Sequence, residues 1–245
     1  MGTERRRRSF QELYVDHRFA VLLVILVILL VGTPLAMELK YPVWWLDGLM
    51  SILLLLSIFP LCFERRERVF ALALGLPSVL ISVAGNAFSG SLSLGVLLAG
   101  RLCEILFLFG AAMLIVRSLF EPHKASFDSV FGAVCGYLFL GLGWTCVFLL
   151  IEAFQPGSYQ INQTAIPAGE RVRPLTLELS YYSFITLTTV GYGDVVPLTP
   201  VTRTLSWMEA IAGQFYLAVV VAGLVNSMGS PGGASKKDEL SVDNS

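Results

Sequence analysis

The chain has 245 residues, of which 55% are apolar and 14% charged, and its formal net charge is −1. Mean hydropathy is +0.72. An average globular protein carries about 25% charged residues, so a soluble domain is a poor fit, and extended disorder needs the opposite composition; the near-zero net charge gives no reason to expect a nucleic-acid partner. An integral membrane protein remains. Cys62, Cys103, Cys135 and Cys146 all lie in apolar runs without metal-ligand spacing, and they read as small core residues rather than a disulfide framework.

Residues 1–18 form a basic segment with Arg5, Arg6, Arg7 and Arg8. Phe10, Leu13, Tyr14 and His17 follow at helical spacing, which suits a stretch lying along the membrane interface. Basic residues before an apolar run also resemble a signal peptide, but the run at 19–37 is long enough to span, so an uncleaved first helix is expected. A bilayer core of about 30 Å needs roughly 20 apolar residues in a helix. Six segments meet that length: 19–37, 43–63, 69–88, 92–116, 130–154 and 204–228. Continuous apolarity favours helices over the alternating pattern of barrel strands, and Pro60 and Pro77 within spans predict kinks rather than breaks.

Basic residues orient the spans. Arg5, Arg6, Arg7, Arg8 and Arg18 precede the first, Arg65, Arg66 and Arg68 join the second to the third, Arg117 and Lys124 join the fourth to the fifth, and Lys236 and Lys237 follow the sixth. Only Lys40, Arg171, Arg173 and Arg203 fall on the other side, which predicts that both termini are cytoplasmic. Asp47 is expected at the outer interface. Within the fourth span, Arg101 and Glu104 sit one turn apart; an intramembrane pair is a functional candidate by default, and a structural ion pair holding helices in register is the favoured reading. Glu209 lies in the sixth span. It either reaches the outer interface or is a buried group bonded to the back of the short helix expected at 176–188. Residues 230–245 are rich in Gly, Ser and charge, and a disordered cytoplasmic tail is expected.

Between the fifth and sixth spans the chain opens as a polar loop that includes the sequon Asn162-Gln163-Thr164. An apolar, aromatic stretch follows at 176–188. As a helix rising 1.5 Å per residue it covers about 20 Å, too short to cross, so it should re-enter from the outside. The chain then reads Thr188-Thr189-Val190-Gly191-Tyr192-Gly193-Asp194. A dehydrated cation needs a cage of oxygens, and backbone carbonyls supply one without a formal charge that would trap the ion. Lining a pore with successive carbonyls requires unusual backbone angles, and Gly191 and Gly193 can adopt positive φ at alternate positions. The Thr189 hydroxyl can add an oxygen at the inner end. Tyr192 should turn away from the pore and brace against aromatics such as Tyr181 and Tyr182. The C-terminal dipole of the short helix, ending near Thr188, would favour a cation beneath it.

This run, together with Thr186 and Leu187 before it and Val196-Pro197 and residues 199–203 after it, resembles the selectivity filter and exit loop of the potassium channel family. The resemblance extends over about 100 residues, from Ser129 to Met228. It implies K+ held by the carbonyls of Thr189, Val190, Gly191 and Tyr192, with Gly193 completing the filter and Thr188, Asp194, Tyr181 and Tyr182 supporting it. Gly213 matches the family's inner-helix hinge. Gln214, Leu217 and Val221, on one helical face, would line the water-filled cavity. One filter per chain implies a homotetramer. Departures exist. Ile185 stands where some bacterial members have a glutamate bonded to the acid after the filter, so Asp194 needs another partner or has none. Tyr181 and Tyr182 replace a common tryptophan pair. The fourth span lacks the repeated basic residues of a voltage sensor.

The expectation is therefore an all-α integral membrane protein: six transmembrane helices, a re-entrant pore helix and selectivity filter, and a tetrameric pore. It divides into residues 1–18 (cytoplasmic), 19–117 (four helices without a voltage-sensor pattern), 127–229 (pore domain) and 230–245 (tail). The expected function is passive, potassium-selective conduction across the plasma or inner membrane, weakly gated by voltage. Membrane lipids and K+ are the expected partners, with K+ as permeant ion, no cofactor and no nucleic acid. A poorly selective cation channel is disfavoured by the intact Gly191-Tyr192-Gly193. An enzyme or sensor in the first four helices lacks convergent catalytic groups, since His17 and His123 are the only histidines and both fall in connections. A transporter of repeated pore loops would need four such loops, and the chain has one.

Overall fold

The computed structural model describes residues 18–39, 69, 72–81, 94–119, 127–161 and 172–229. The elements are α1 (Arg18–Glu38), α2 (Leu72–Ile81), α3 (Leu94–Leu119), α4 (Phe127–Phe154), β1 (Tyr159–Ile161), α5 (Val172–Leu187), β2 (Val195–Pro197) and α6 (Pro200–Gly229). Among the described residues, four helices are long and apolar enough to cross a membrane: α1, α3, α4 and α6. They correspond to the first, fourth, fifth and sixth expected spans. Of the third, the described helix is α2, which contains Pro77. The second span, the N-terminal segment before Arg18, the sequon and the tail lie outside the described residues.

α4 is the central element and packs against α3, α1, α5 and α6. On its first side a core of Phe19, Leu22, Leu26, Leu108, Ile115 and Phe139 joins α1, α3 and α4, with Cys135 and Cys146 buried in it as free thiols. On its second side Trp144 and Phe148 join Leu179, Tyr182, Ile185 and Leu187 of α5, together with Tyr159 of β1 and Val195 of β2. The outward face of α1 stays apolar and exposed, with Val24, Ile28 and Val31, as a lipid-facing helix requires.

One polar contact ties the first helix to α4. Asp128, in the first turn of α4, is buried, and its two carboxylate oxygens accept the N–H groups of Phe19 (3.2 Å) and Ala20 (3.0 Å). The acid therefore caps the neighbouring helix rather than its own, filling two of the four donors a helix start leaves open. Cys135 adds a thiol bond to the Phe19 carbonyl at 3.6 Å.

Candidate functional site

α5 begins four residues earlier than the apolar pattern predicts, because Pro174 in its first turn has no N–H to lose there. Its 16 residues rise about 24 Å, short of a bilayer core. Three consecutive side chains anchor it. The Tyr181 hydroxyl donates to Asp194 Oδ2 at 2.6 Å, the Tyr182 hydroxyl bonds Ser206 of α6 at 2.6 Å, and Ser183 Oγ lies 2.8 Å from the Gly141 carbonyl oxygen of α4 and 2.5 Å from Glu209 Oε1 of α6. At the C-terminus the Tyr137 hydroxyl of α4 donates to the Leu187 carbonyl at 3.0 Å.

Beyond Leu187 the backbone folds back on the helix it has just left. Thr188 N–H donates to the Phe184 carbonyl (3.1 Å), Thr189 N–H to that of Thr186 (2.9 Å), and both Val190 and Gly191 N–H to that of Ile185 (2.8 and 3.1 Å). In a trans peptide each N–H points opposite to the preceding carbonyl. The carbonyls of Thr188, Thr189 and Val190 therefore point away from α5, toward the exposed side. The dihedral angles agree. Thr189, Gly191 and Gly193 have φ of 60°, 52° and 77°, with Val190 and Tyr192 between them at negative φ. Alternating left- and right-handed residues turn successive N–H groups to one side of a chain and the carbonyls to the other. The glycines at 191 and 193 accommodate this freely, while Thr189 holds a conformation that costs a residue with a Cβ about 1–2 kcal/mol. The Thr188 hydroxyl bonds back to the Phe184 carbonyl at 2.7 Å.

Beyond Gly193 the chain is braced by a two-stranded antiparallel sheet pairing Tyr159 with Pro197 and Ile161 with Val195. Glu152 closes the turn into β1 by accepting the N–H groups of Gly157 (2.6 Å) and Ser158 (2.9 Å). Asp194 has found the partner that Ile185 does not provide. Its Oδ2 takes the Tyr181 hydroxyl, and its Oδ1 takes Val195 N–H at 3.1 Å. The same carboxylate pushes the Tyr181 phenol up to about 12, chiefly through that hydrogen bond. The expected bracing of Tyr192 is not met within the chain. Tyr192 is largely exposed, no ring pair joins it to Tyr181 or Tyr182 among the described residues, and Tyr182 packs its ring at a tilt on Phe148 and edge-on to Tyr159 instead. Tyr182 turns inward because its hydroxyl has Ser206 to bond and its ring has an aromatic pocket to fill.

α6 starts with reciprocal bonds between Thr199 and Thr202, a cap that leads into Pro200 at the first helical position. The helix runs unbroken through Gly213. A Cβ at Gly213 would collide with the Leu187 carbonyl oxygen, so glycine there lets α6 approach the end of α5. Gln214, Leu217 and Val221 share one exposed face with Ala218, Ala222 and Val225 and line a groove along α6. Glu209 is fully buried, not interfacial, and contacts the back of α5 through Ser183. Arg101 and Glu104 pair with each other on α3 at 2.8 Å. Sequence reasoning did not single out Tyr137, Ser183 or Asp128. A hydroxyl or acid inside an apolar run was the available signal, since such groups must find a partner in the membrane.

A family model described as "Ion channel" matches residues 170–229. Protein LctB of Bacillus caldotenax is 33% identical over 104 residues, which is 42% of this chain and 75% of that protein. Protein LctB of Geobacillus stearothermophilus is 32% identical over 108 residues, or 78% of its length. Two-pore potassium channel 5 of Arabidopsis thaliana is 32% identical over 82 residues, and the match spans 33% of this chain and only 20% of that longer protein. No solved structure matches. An aligned identity of a third across three-quarters of a relative, with a family model matching the segment that carries the left-handed glycines, makes this multi-pass membrane protein a member of the ion channel family that includes the potassium channels, and a channel rather than an enzyme.

Proposed function

We propose that the protein is a potassium-selective channel in which four copies surround one pore, residues 127–229 forming the pore domain. α5 is the pore helix, re-entering from the outside, and the backbone of Thr189, Val190, Gly191, Tyr192 and Gly193 is the selectivity filter. The observation that carries this reading is the alternation of φ at Thr189, Gly191 and Gly193, together with amides bonded back to α5. It leaves a row of carbonyls on the exposed side, the arrangement that replaces the hydration shell of K+. A single chain offers that row no second wall, which supports a ring of identical copies rather than a monomer. Both termini are cytoplasmic, by the bias of basic residues, in a plasma or inner membrane.

Below the filter, the C-terminal end of α5 contributes roughly half a negative charge, which favours a cation in the cavity. Gln214, Leu217 and Val221 line that cavity, and Leu217 and Val221 narrow its inner mouth. Purified protein in planar bilayers under a potassium/sodium gradient tests the reading. Reversal near the potassium equilibrium potential is expected, and a reversal potential that ignores the potassium gradient refutes it. Cysteines at positions 217 and 221 should be modified by cytoplasmic thiol reagents with block of the current. Full protection of both in conducting channels would move that face away from the pore.

A further inference from the structure

Behind α5 lies a polar cluster that takes no part in the carbonyl row. Glu209 and Ser183 are both at 0% exposure, within a single chain. Ser183 Oγ sits between two oxygens, Glu209 Oε1 at 2.5 Å and the Gly141 carbonyl at 2.8 Å. A carbonyl and an ionised carboxylate only accept hydrogen bonds, and a serine hydroxyl has one hydrogen to give. An ionised Glu209 would leave two strong acceptors competing for it. It would also leave a charged oxygen bare, since Glu209 Oε2 is buried with no hydrogen-bond partner in the structure. A carboxylic acid removes both conflicts: its O–H donates to Ser183, and Ser183 donates to Gly141.

We propose that Glu209 is a neutral carboxylic acid acting as a positioning residue for the filter, pinning α5 between α4 and α6. The path is short. Ser183 lies two residues before Ile185, whose carbonyl takes the N–H groups of Val190 and Gly191. One turn further along α6, Gly213 meets the Leu187 carbonyl that Tyr137 holds. α6 therefore grips α5 at two successive turns, and the height of the carbonyl row follows from that grip. Ion sites need their ligands held within about 0.5 Å, which is the task of such supporting bonds. This assignment rests on the channel reading for its consequence, but not for its chemistry.

Two measurements on the full-length protein test it. Infrared difference spectroscopy of wild type against Glu209→Gln should show the loss of one protonated-carboxyl carbonyl band. Its absence, with the band of an ionised carboxylate lost instead, overturns the neutral assignment whether or not the protein conducts. In planar bilayers, Glu209→Gln should keep the wild-type potassium-to-sodium permeability ratio, because an amide still donates to Ser183. Ser183→Ala, a small change at an interior helix position, should lower that ratio about tenfold, the lower end of the range seen when outer-shell partners of a metal site are removed. Ser183→Ala at the wild-type ratio, or Glu209→Gln as impaired as Ser183→Ala, overturns the positioning role. A wild type without potassium preference would refute the channel reading alone, and the infrared result would stand.

Discussion

α1 and α3 meet α4 through aliphatic and aromatic side chains such as Leu22, Leu26, Leu108 and Ile115, whereas α5 adds two hydrogen bonds to its apolar packing on the same helix, Ser183 to Gly141 and Tyr137 to Leu187. The contrast follows from what each side must hold. A regular helix satisfies its own backbone, so packing suffices to place it in a membrane. The segment after α5 is not helical, and its amides and carbonyls must each be aimed. Directional bonds do that, and they recur at Tyr181, Tyr182, Ser183 and Glu209. On the first side Asp128 closes the start of α1 by accepting two of its N–H groups.

The sharpest break in this contrast comes at Gly191. With φ at 52°, Gly191→Ala places a Cβ in a conformation that costs about 1–2 kcal/mol per residue, and a ring of four would meet that strain four times. Among the described residues, beyond its two chain neighbours, nothing lies within 4 Å of that Cβ, so the effect is conformational rather than crowding. Macroscopic current should vanish in bilayer recordings while the protein still folds. Gly213→Ala comes next. Its Cβ meets the Leu187 carbonyl, and overpacking of this kind costs about 1–3 kcal/mol. Both thermal stability and current should fall. A variant with wild-type stability and altered opening alone would favour a hinge at Gly213 over a packing role.

Asp128→Ala probes the other side. It removes a cap from α1 and should lower stability by about 1 kcal/mol without changing the potassium-to-sodium ratio, as read by thermal melting and reversal potentials. A changed ratio would show that α1 bears on the filter after all. Tyr181→Phe removes one hydrogen bond to Asp194 and should speed the decay of current during sustained opening. The pH dependence has a definite sign. The phenol is raised to about 12, so the Tyr181 bond is intact below its ordinary value near 10 and is lost as pH rises through about 12. Current decay in wild type should approach that of Tyr181→Phe only at the alkaline end of this window.

The smallest effect is expected at Arg101. One charge crossing the whole field is worth about 2.3 kcal/mol per 100 mV, enough in four copies for steep voltage dependence. Arg101 and Glu104 are bonded on the same helix, however, so a rigid movement of α3 carries both signs together. Tail currents from −120 to +120 mV should show shallow opening, little altered by Arg101→Gln. A steep sigmoid that this variant flattens would make the first helices a voltage sensor.

The sequence by itself determined the parts whose physics is local. Continuous apolar runs set where α1, α3, α4 and α6 lie, because a span must satisfy its backbone over a fixed thickness. Gly191 and Gly193 marked the left-handed positions, because only glycine enters that region freely. Tertiary structure alone decided what those elements touch. It gave Asp194 a tyrosine partner, turned Tyr182 toward Phe148 instead of Tyr192, buried Glu209 against Ser183, and made Gly213 a point of close approach. It also placed Thr189 at positive φ, where no residue preference would have put it, because its amide and those of Val190 and Gly191 are all drawn back onto the last turn of α5. A side chain's partner depends on which helix faces it across the chain, and residues far apart in sequence carry no local trace of that meeting.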